Sequence, residues 1–420
     1  MKTRRLAATQ AATLAGVALF AAPASAATSV AGSINGILTR YGLSGSSGVR
    51  VIDADSGRQL FARNAARLLT PASNTKIVTS ATALARWGPG YHFRTELYVP
   101  PDPPDTGGVL RGDIYLKGFG DPTLSTSSYR RNVLRRPAAN LGDFVPALKA
   151  MGVTRIVGHV VGDESYFDAR RKVSSWSAGD WVWCGPLSAL SLNRGTVDGH
   201  RTGNPPQAAA ARLTELLEDA GIKVSGRPRA GRVPSGWLLR YTEYSPPLSR
   251  VLAAMNKPSD NFYAEMIAKG LGAAFRGAGT TVAGTKVVAA FLTESGVAAS
   301  QFRLHDGSGL SHGNKLTATG ISRLLRVMAG RSDYPAYWAS LSVAGRDGTL
   351  AQRMRATPAQ GNVHAKTGTL TGSSCLSGYV TTANGRHVIF SILMNRSGLN
   401  IATAHAAQDA IAVSLSRARP

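Results

Sequence analysis

Two residues three apart open the argument. Ser73 and Lys76 lie in the stretch Thr70-Pro71-Ala72-Ser73-Asn74-Thr75-Lys76. On a helix they share a face, and a neutral lysine one turn from a serine can take the hydroxyl proton and make a nucleophile. Ser-x-x-Lys recurs by chance about once in a chain of this length, so the pair alone carries little. Scanning the serines, only Ser73 has Lys at the third following position. Two further motifs lie downstream. Lys257-Pro258-Ser259-Asp260-Asn261 reads as an ordinary helix cap with Glu265 in the first turn, or as a proton-relay serine with an amide donor two residues on. His364-Ala365-Lys366-Thr367-Gly368-Thr369-Leu370 reads as a strand. Its interior Gly weakens pairing unless another backbone must come close, as an extended peptide substrate would.

The positioning elements follow from local pattern. Thr70 reads as a helix cap and Pro71 as the first helical residue, ahead of Ile77 to Ala85, with a stop at Gly88-Pro89-Gly90. Before it come an amphipathic helix from Thr28 to Tyr41, then a hairpin of Gly48 to Asp53 and Gln59 to Ala62. From about Tyr91 to Pro247 the texture changes. Strand-like segments (Phe93 to Val99, Val109 to Lys117, Ile156 to Gly162, Trp237 to Tyr241) alternate with Pro, Gly and Asp loops, with one clear helix at Gln207 to Ala220. Helical patterns then dominate: Leu248 to Met255, Asn261 to Gly270, Thr280 to Thr293 and Thr317 to Met328. Strands at Val363 to Thr369, Cys375 to Thr381 and His387 to Met394 precede a last helix at Ile401 to Leu415. This order predicts an α+β fold: an antiparallel sheet with helices, built from residues 27–95 and 246–420, interrupted by a β-rich region of one or two subdomains over 96–245.

Composition sets the surroundings. The chain has 420 residues and a formal charge of +24, from 48 basic and 24 acidic residues. The basic residues are mostly Arg and read as scattered, without the concentrated, aromatic-interleaved patch of a nucleic-acid binder. They suit a solvated basic surface or attraction to anionic wall polymers or a membrane face. Lys2, Arg4 and Arg5, the apolar run from Ala11 to Ala22 and Ala24-Ser25-Ala26 form a secretory signal over 1–26, and its removal leaves +21. Export permits a disulfide, so the pairing of Cys184 with Cys375 stays open. No H-E-x-x-H motif occurs and the eight His are dispersed, so neither cofactor nor metal is expected.

Taken in order, Ser73-x-x-Lys76, Ser259-Asp260-Asn261 and Lys366-Thr367-Gly368 resemble the signature set of penicillin-binding proteins and serine β-lactamases. The step of 183 positions from Lys76 to Ser259 narrows the resemblance to the class C low-molecular-mass penicillin-binding proteins, the peptidase S13 D-alanyl-D-alanine carboxypeptidases. Gly120-Asp121-Pro122-Thr123-Leu124, Ser188-Ala189-Leu190-Ser191-Leu192-Asn193, Asp306-Gly307-Ser308-Gly309-Leu310-Ser311 and Gly345-Arg346-Asp347-Gly348-Thr349-Leu350 extend it over the mature chain.

That resemblance implies a serine β-lactamase/transpeptidase-like fold and acyl transfer through an ester on Ser73, with stem peptides ending in D-Ala-D-Ala as substrate and β-lactams as inhibitors. Lys76 would be the general base, its pKa lowered by burial and by Lys366 as a second cation. Ser259 would relay a proton to the leaving amine. Asn261 would hold the substrate amide. Lys366, Thr367, Gly368 and Thr369 would line the terminal-carboxylate side, with the backbone N–H groups of Ser73 and Thr369 facing the oxyanion. Ser308, Gly309 and Leu310 would line the side-chain pocket. Asp180, near Trp176 and Trp181, is a candidate for reading a free amine on the stem peptide. The alternatives are a β-lactamase or esterase on the same fold and a non-hydrolytic wall-binding protein. Against the first, the E-x-x-L-N stretch of class A β-lactamases is lacking: Ala189 stands where its Glu would be, and Glu164 reads as a strand-end loop. Against the second, none of the motif residues is lost.

Overall fold

In a computed structural model of the chain, residues 29–420 are described; the signal-peptide reading falls outside them. The centre is a six-stranded antiparallel sheet, assembled from both ends of the chain. Its order is Ser342–Val343, His364–Leu370, Ser373–Thr381, His387–Asn395, Ser47–Asp53, Gln59–Arg63. The early strand meets the last one directly, from Ser47 opposite Met394 to Asp53 opposite Val388.

The apolar run Val388 to Met394 explains why this sheet is buried on both faces. Successive side chains point to opposite sides, so a continuous run supplies two cores. Phe390 and Ile392 face the helices Val30–Arg40 and Ile401–Arg417 through Ile34, Leu38, Ile411 and Leu415. Ile389 and Leu393 face the other layer, where Ile77, Val78 and Leu84 of the helix Thr75–Trp87 meet Phe262 and Met266 of the helix Asn261–Arg276. Each such side chain contributes about 1.5–3 kcal/mol by leaving water. The serine helix is therefore clamped between the sheet and a second helical layer.

The intervening region has its own core, with Leu97, Leu116, Phe144, Ile156 and Leu213 among its buried members. It carries a five-stranded mixed sheet and a three-stranded parallel one. Two segments expected as single strands are each broken. Val109–Arg111 and Ile114–Gly118 are separate, as are Arg155–Val157 and Val160–Asp163. The breaks face each other: the Asp113 carboxylate accepts from the His159 N–H at 2.8 Å, and the Ile114 N–H donates to the His159 carbonyl at 2.9 Å. Each broken segment thus serves two sheets. The helix Pro205–Asp219 lies where the sequence puts it, and a short one, Phe144–Ala150, is additional.

Candidate active site

The serine turn departs from its expected form. Thr70 caps nothing. Its N–H donates to Asn395 Oδ1 at 2.6 Å, its hydroxyl accepts from Lys315 Nζ at 2.7 Å, and its carbonyl accepts from Ser373 Oγ at 2.8 Å. Pro71 precedes a tight 3-10 turn, Ala72–Asn74, rather than opening the α-helix, which starts at Thr75. Ala72 sits at φ 47°, a left-handed conformation that costs a non-glycine residue and marks the bend presenting Ser73. Gly309 makes that bend possible: at φ 89° a Cβ there would fall 1.9 Å from the Ala72 carbonyl oxygen. Asn74 Nδ2 ties the turn to the sheet through Ser377 Oγ at 2.8 Å.

Lys76 is completely buried, and its Nζ has three partners: Ser73 Oγ at 3.0 Å, Asn261 Oδ1 at 2.6 Å and the Ser308 carbonyl at 2.7 Å. A neutral amine keeps two N–H bonds and one lone pair. Asn261 and Ser308 can take the two N–H groups, which leaves the lone pair facing Ser73 Oγ. Burial pushes the Lys76 pKa down to about 8, against the pull of Asp306, Glu265 and Asp260. The burial half of the expectation holds, and the share assigned to Lys366 is corrected. Desolvation lowers Lys76, and the repulsion between the two ammonium groups weighs instead on Lys366, which burial and Lys76 together hold well below the usual lysine value.

The second and third motifs close the other side. Lys366 Nζ donates to Ser259 Oγ at 2.8 Å and to the Thr367 carbonyl at 3.0 Å. Ser259 has φ 62°, another left-handed non-glycine residue at the site. Asp260 is the helix cap, accepting from the Tyr263 N–H at 3.2 Å and pairing with Arg194 at 2.7 Å. Glu265 lies a turn beyond the place expected for it. One of its oxygens accepts from the Gly307 and Ser308 N–H groups at 3.0 and 2.7 Å, which aims the Ser308 carbonyl at Lys76. Burial and the neighbouring Asp306 raise the Glu265 pKa to about 8. Helical spacing carries a signal for this: Glu265 is four residues after Asn261 and shares its face.

Gly368 packs against the serine turn. A Cβ there would lie 2.6 Å from the Pro71 carbonyl oxygen and 3.1 Å from the Ser73 and Asn74 nitrogens, so a side chain would push the strand off. Thr367 is buried and its hydroxyl donates to Thr349 Oγ1 at 2.7 Å, whereas Thr369 is exposed. Thr349 escaped the sequence reading of the site. So did the Trp183 carbonyl, which accepts from Asn261 Nδ2 at 3.0 Å and occupies the amide that was expected to face a substrate. Trp183 ends the short 3-10 segment Asp180–Trp183, where Asp180 accepts from the Ser177 N–H at 2.8 Å. Ser308 and Gly309 are buried against Lys76 and the serine turn, with Leu310 beside them.

Glu164 and the two cysteines lie outside the site. Glu164 follows the strand Val160–Asp163 and is held by Arg171 at 2.7 Å and Ser188 at 2.6 Å. Cys184 and Cys375 are both free and buried, and burial raises both thiols.

Comparison with known proteins supplies the family. The model of the D-Ala-D-Ala carboxypeptidase 3 (S13) family matches residues 30–202 and 199–418. A D-alanyl-D-alanine carboxypeptidase of Actinomadura sp. is 34% identical, over 91% of this chain and 83% of that protein. Carboxypeptidase DacB of Mycolicibacterium smegmatis is 30% identical, over 87% and 79%. Among solved structures, penicillin-binding protein 4 of Haemophilus influenzae superposes with a TM-score of 0.78 at 21% identity, covering 92% of this chain and 99% of the other. The fold is thus that of the penicillin-binding proteins, and the chain belongs to the D-Ala-D-Ala carboxypeptidase 3 (S13) family.

Proposed function

We propose that the chain is a serine-type D-Ala-D-Ala carboxypeptidase that acts on peptidoglycan stem peptides through an acyl-enzyme on Ser73 and is inhibited by β-lactams, with D-alanyl cross-links as a further substrate of the same chemistry. The observation that carries the reading is the Lys76 amine, buried, lowered to about 8, and held by Asn261 and Ser308 with Ser73 Oγ 3.0 Å away. Neutral Lys76 takes the Ser73 proton as Oγ attacks the carbonyl between the two D-alanines. The tetrahedral oxyanion sits between the N–H groups of Ser73 and Thr369, a pairing supported by the close seating of Gly368 on the serine turn. Ser259, beside Lys366, hands a proton to the departing D-alanine nitrogen. Water then cleaves the ester.

Lys366 and Thr369 receive the terminal carboxylate, while Thr367 stays bonded to Thr349. Asn261 binds the substrate amide after releasing the Trp183 carbonyl. Ser308, Gly309 and Leu310 line the side-chain pocket, and Asp180, on the segment ending at Trp183, reads the stem peptide's free amine. The signal sequence over 1–26 places the enzyme outside the cytoplasm, with residues 27–95 and 246–420 as the catalytic domain and 96–245 as the insert. Among the described residues no helix is long and apolar enough to cross a membrane.

The test is D-alanine release from a stem pentapeptide together with fluorescent-penicillin labelling, using Ser73→Ala as control. The wild type should do both and the variant neither. Absence of both in the wild type refutes the reading, and rapid turnover of penicillin would favour a β-lactamase.

A further inference from the structure

The sequence reads as basic but scattered, yet four arginines fall within the seven residues Arg130 to Arg136. Ser127–Tyr129 leads into a single π-helical turn, Arg130–Leu134, capped by Thr126. Arg135 follows at φ 51°, so the chain doubles back there and brings Arg135 and Arg136 beside Arg130 and Arg131. These four arginines, with Tyr244 and Pro246, line a shallow, open hollow of about 630 Å³. A second hollow of about 310 Å³ shares Arg136, Pro137 and Pro246 with the first, and adds Arg250, Lys257 and Pro258. Pro258 adjoins Ser259. The two hollows form one trough running from the arginine turn to the edge of the active site.

The trough's charge is largely uncompensated. Among the described residues, Arg130, Arg131, Arg135, Arg136 and Arg250 make no ion pair, whereas Arg86, Arg353 and Arg386 elsewhere do. Glu243 is the carboxylate that feels Arg130, and it already accepts from the Asn140 N–H and the Tyr241 hydroxyl. Lys257 is paired with Asp347. Arg136 backs the trough, 5.4 Å from the Tyr263 ring and 3.4 Å from the Ala254 carbonyl, with a buried Nε that has no partner. Guanidinium groups match phosphate oxygens in a two-pronged geometry, and clustering like charges without counter-charges costs stability unless something anionic offsets it.

We propose that this trough binds an anionic wall polymer carrying phosphodiester groups along its chain, and so seats the enzyme on the wall with its active site beside the polymer. The continuation of the patch to Pro258, beside Ser259, favours a wall-borne chain over a lipid surface. The lipid alternative is represented by Val133, 57% exposed on the same turn.

The test is co-sedimentation of the full-length mature enzyme with insoluble walls that carry such a polymer, and with the same walls stripped of it by hydrofluoric acid. Three proteins are compared: wild type, the triple variant R130Q/R131Q/R135Q, and a charge-matched triple, K172Q/R276Q/K286Q, at exposed cations outside the trough. Binding should fall about tenfold or more in the trough variant and on stripped walls, and by less than about twofold in the control. Equal losses in both variants, no loss in the trough variant, or binding indifferent to stripping overturns the proposal. Tighter binding to phosphatidylglycerol vesicles than to walls overturns it in favour of a membrane surface. Unfolding midpoints check the fold. Should the triple fail to fold, Arg131→Glu alone, at an exposed position, should weaken wall binding in the same direction; no change there overturns the proposal as well.

Discussion

Two sets of cations sit at opposite extremes of the same surface-to-core scale. Lys76 and Lys366 are wholly buried, their charge suppressed by desolvation and their donors committed to named acceptors. Arg131 and Arg135 stand in solvent with no ion pair among the described residues. In the sequence both are entries in the same count of basic residues. What separates them is burial: a lysine out of water becomes a base, whereas an arginine cannot be deprotonated and serves as a fixed charge. The difference teaches that chemistry follows the two that lost their solvent, and attraction follows those that kept it.

The sharpest break is substitution of the buried pair against substitution of an exposed arginine. Lys76→Met should slow penicillin acylation by about 10³-fold or more, since no other base faces Ser73. Arg131→Gln should leave the same rate within about twofold. Comparable losses would dissolve the distinction. Next comes Gly368→Ala. A Cβ 2.6 Å from the Pro71 oxygen spreads the strand from the serine turn, and acylation should fall about 10²–10³-fold while the unfolding midpoint drops little.

The pH profile sharpens the comparison further. Lys76 is competent when neutral, so the acylation rate should climb as pH rises through about 8 and level off above it, measured with a fluorescent penicillin. Folded Lys76 releases its proton near 8, whereas the unfolded lysine keeps it to about 10.5. Stability to urea should therefore rise with pH across that window, the unfolded state binding more protons there. Within the buried site the smallest effect is expected for Glu265→Gln. Burial and Asp306 push the Glu265 carboxyl toward its neutral form, and Gln Oε1 can accept from Gly307 and Ser308 in its place, so acylation at pH 7 should stay within about threefold.

Much of this was legible in order and spacing. The three motifs, the capped helix at Asn261 and the apolar run at Val388 are local patterns, and local patterns survive folding. What stayed hidden depends on distant partners. Thr70 reads as a cap because its neighbours look helical, yet Asn395 and Lys315 claim it from far along the chain. The carbonyls of Ser308 and Trp183 hold the site through main-chain atoms, which residue identity does not announce. The helices Phe144–Ala150 and Tyr334–Ser340 are two turns long and carry Pro near their starts, too little periodicity to register. The arginine cluster, by contrast, stands open in the sequence: Arg130, Arg131, Arg135 and Arg136 fall within seven residues, and a reading of the charge as scattered misses it.

The sheet pairing of Ser47–Asp53 with His387–Asn395 has a temporal side. The serine turn leans on Asn395, Ser373 and Ser377, so its geometry waits for residues made some three hundred positions later. Contacts of such long sequence separation form slowly and only once the chain is complete. A nascent or truncated molecule would carry every motif and still be inert. Reactivity arrives all at once with the last strands, so the chain stays a harmless polymer until its end has followed its beginning.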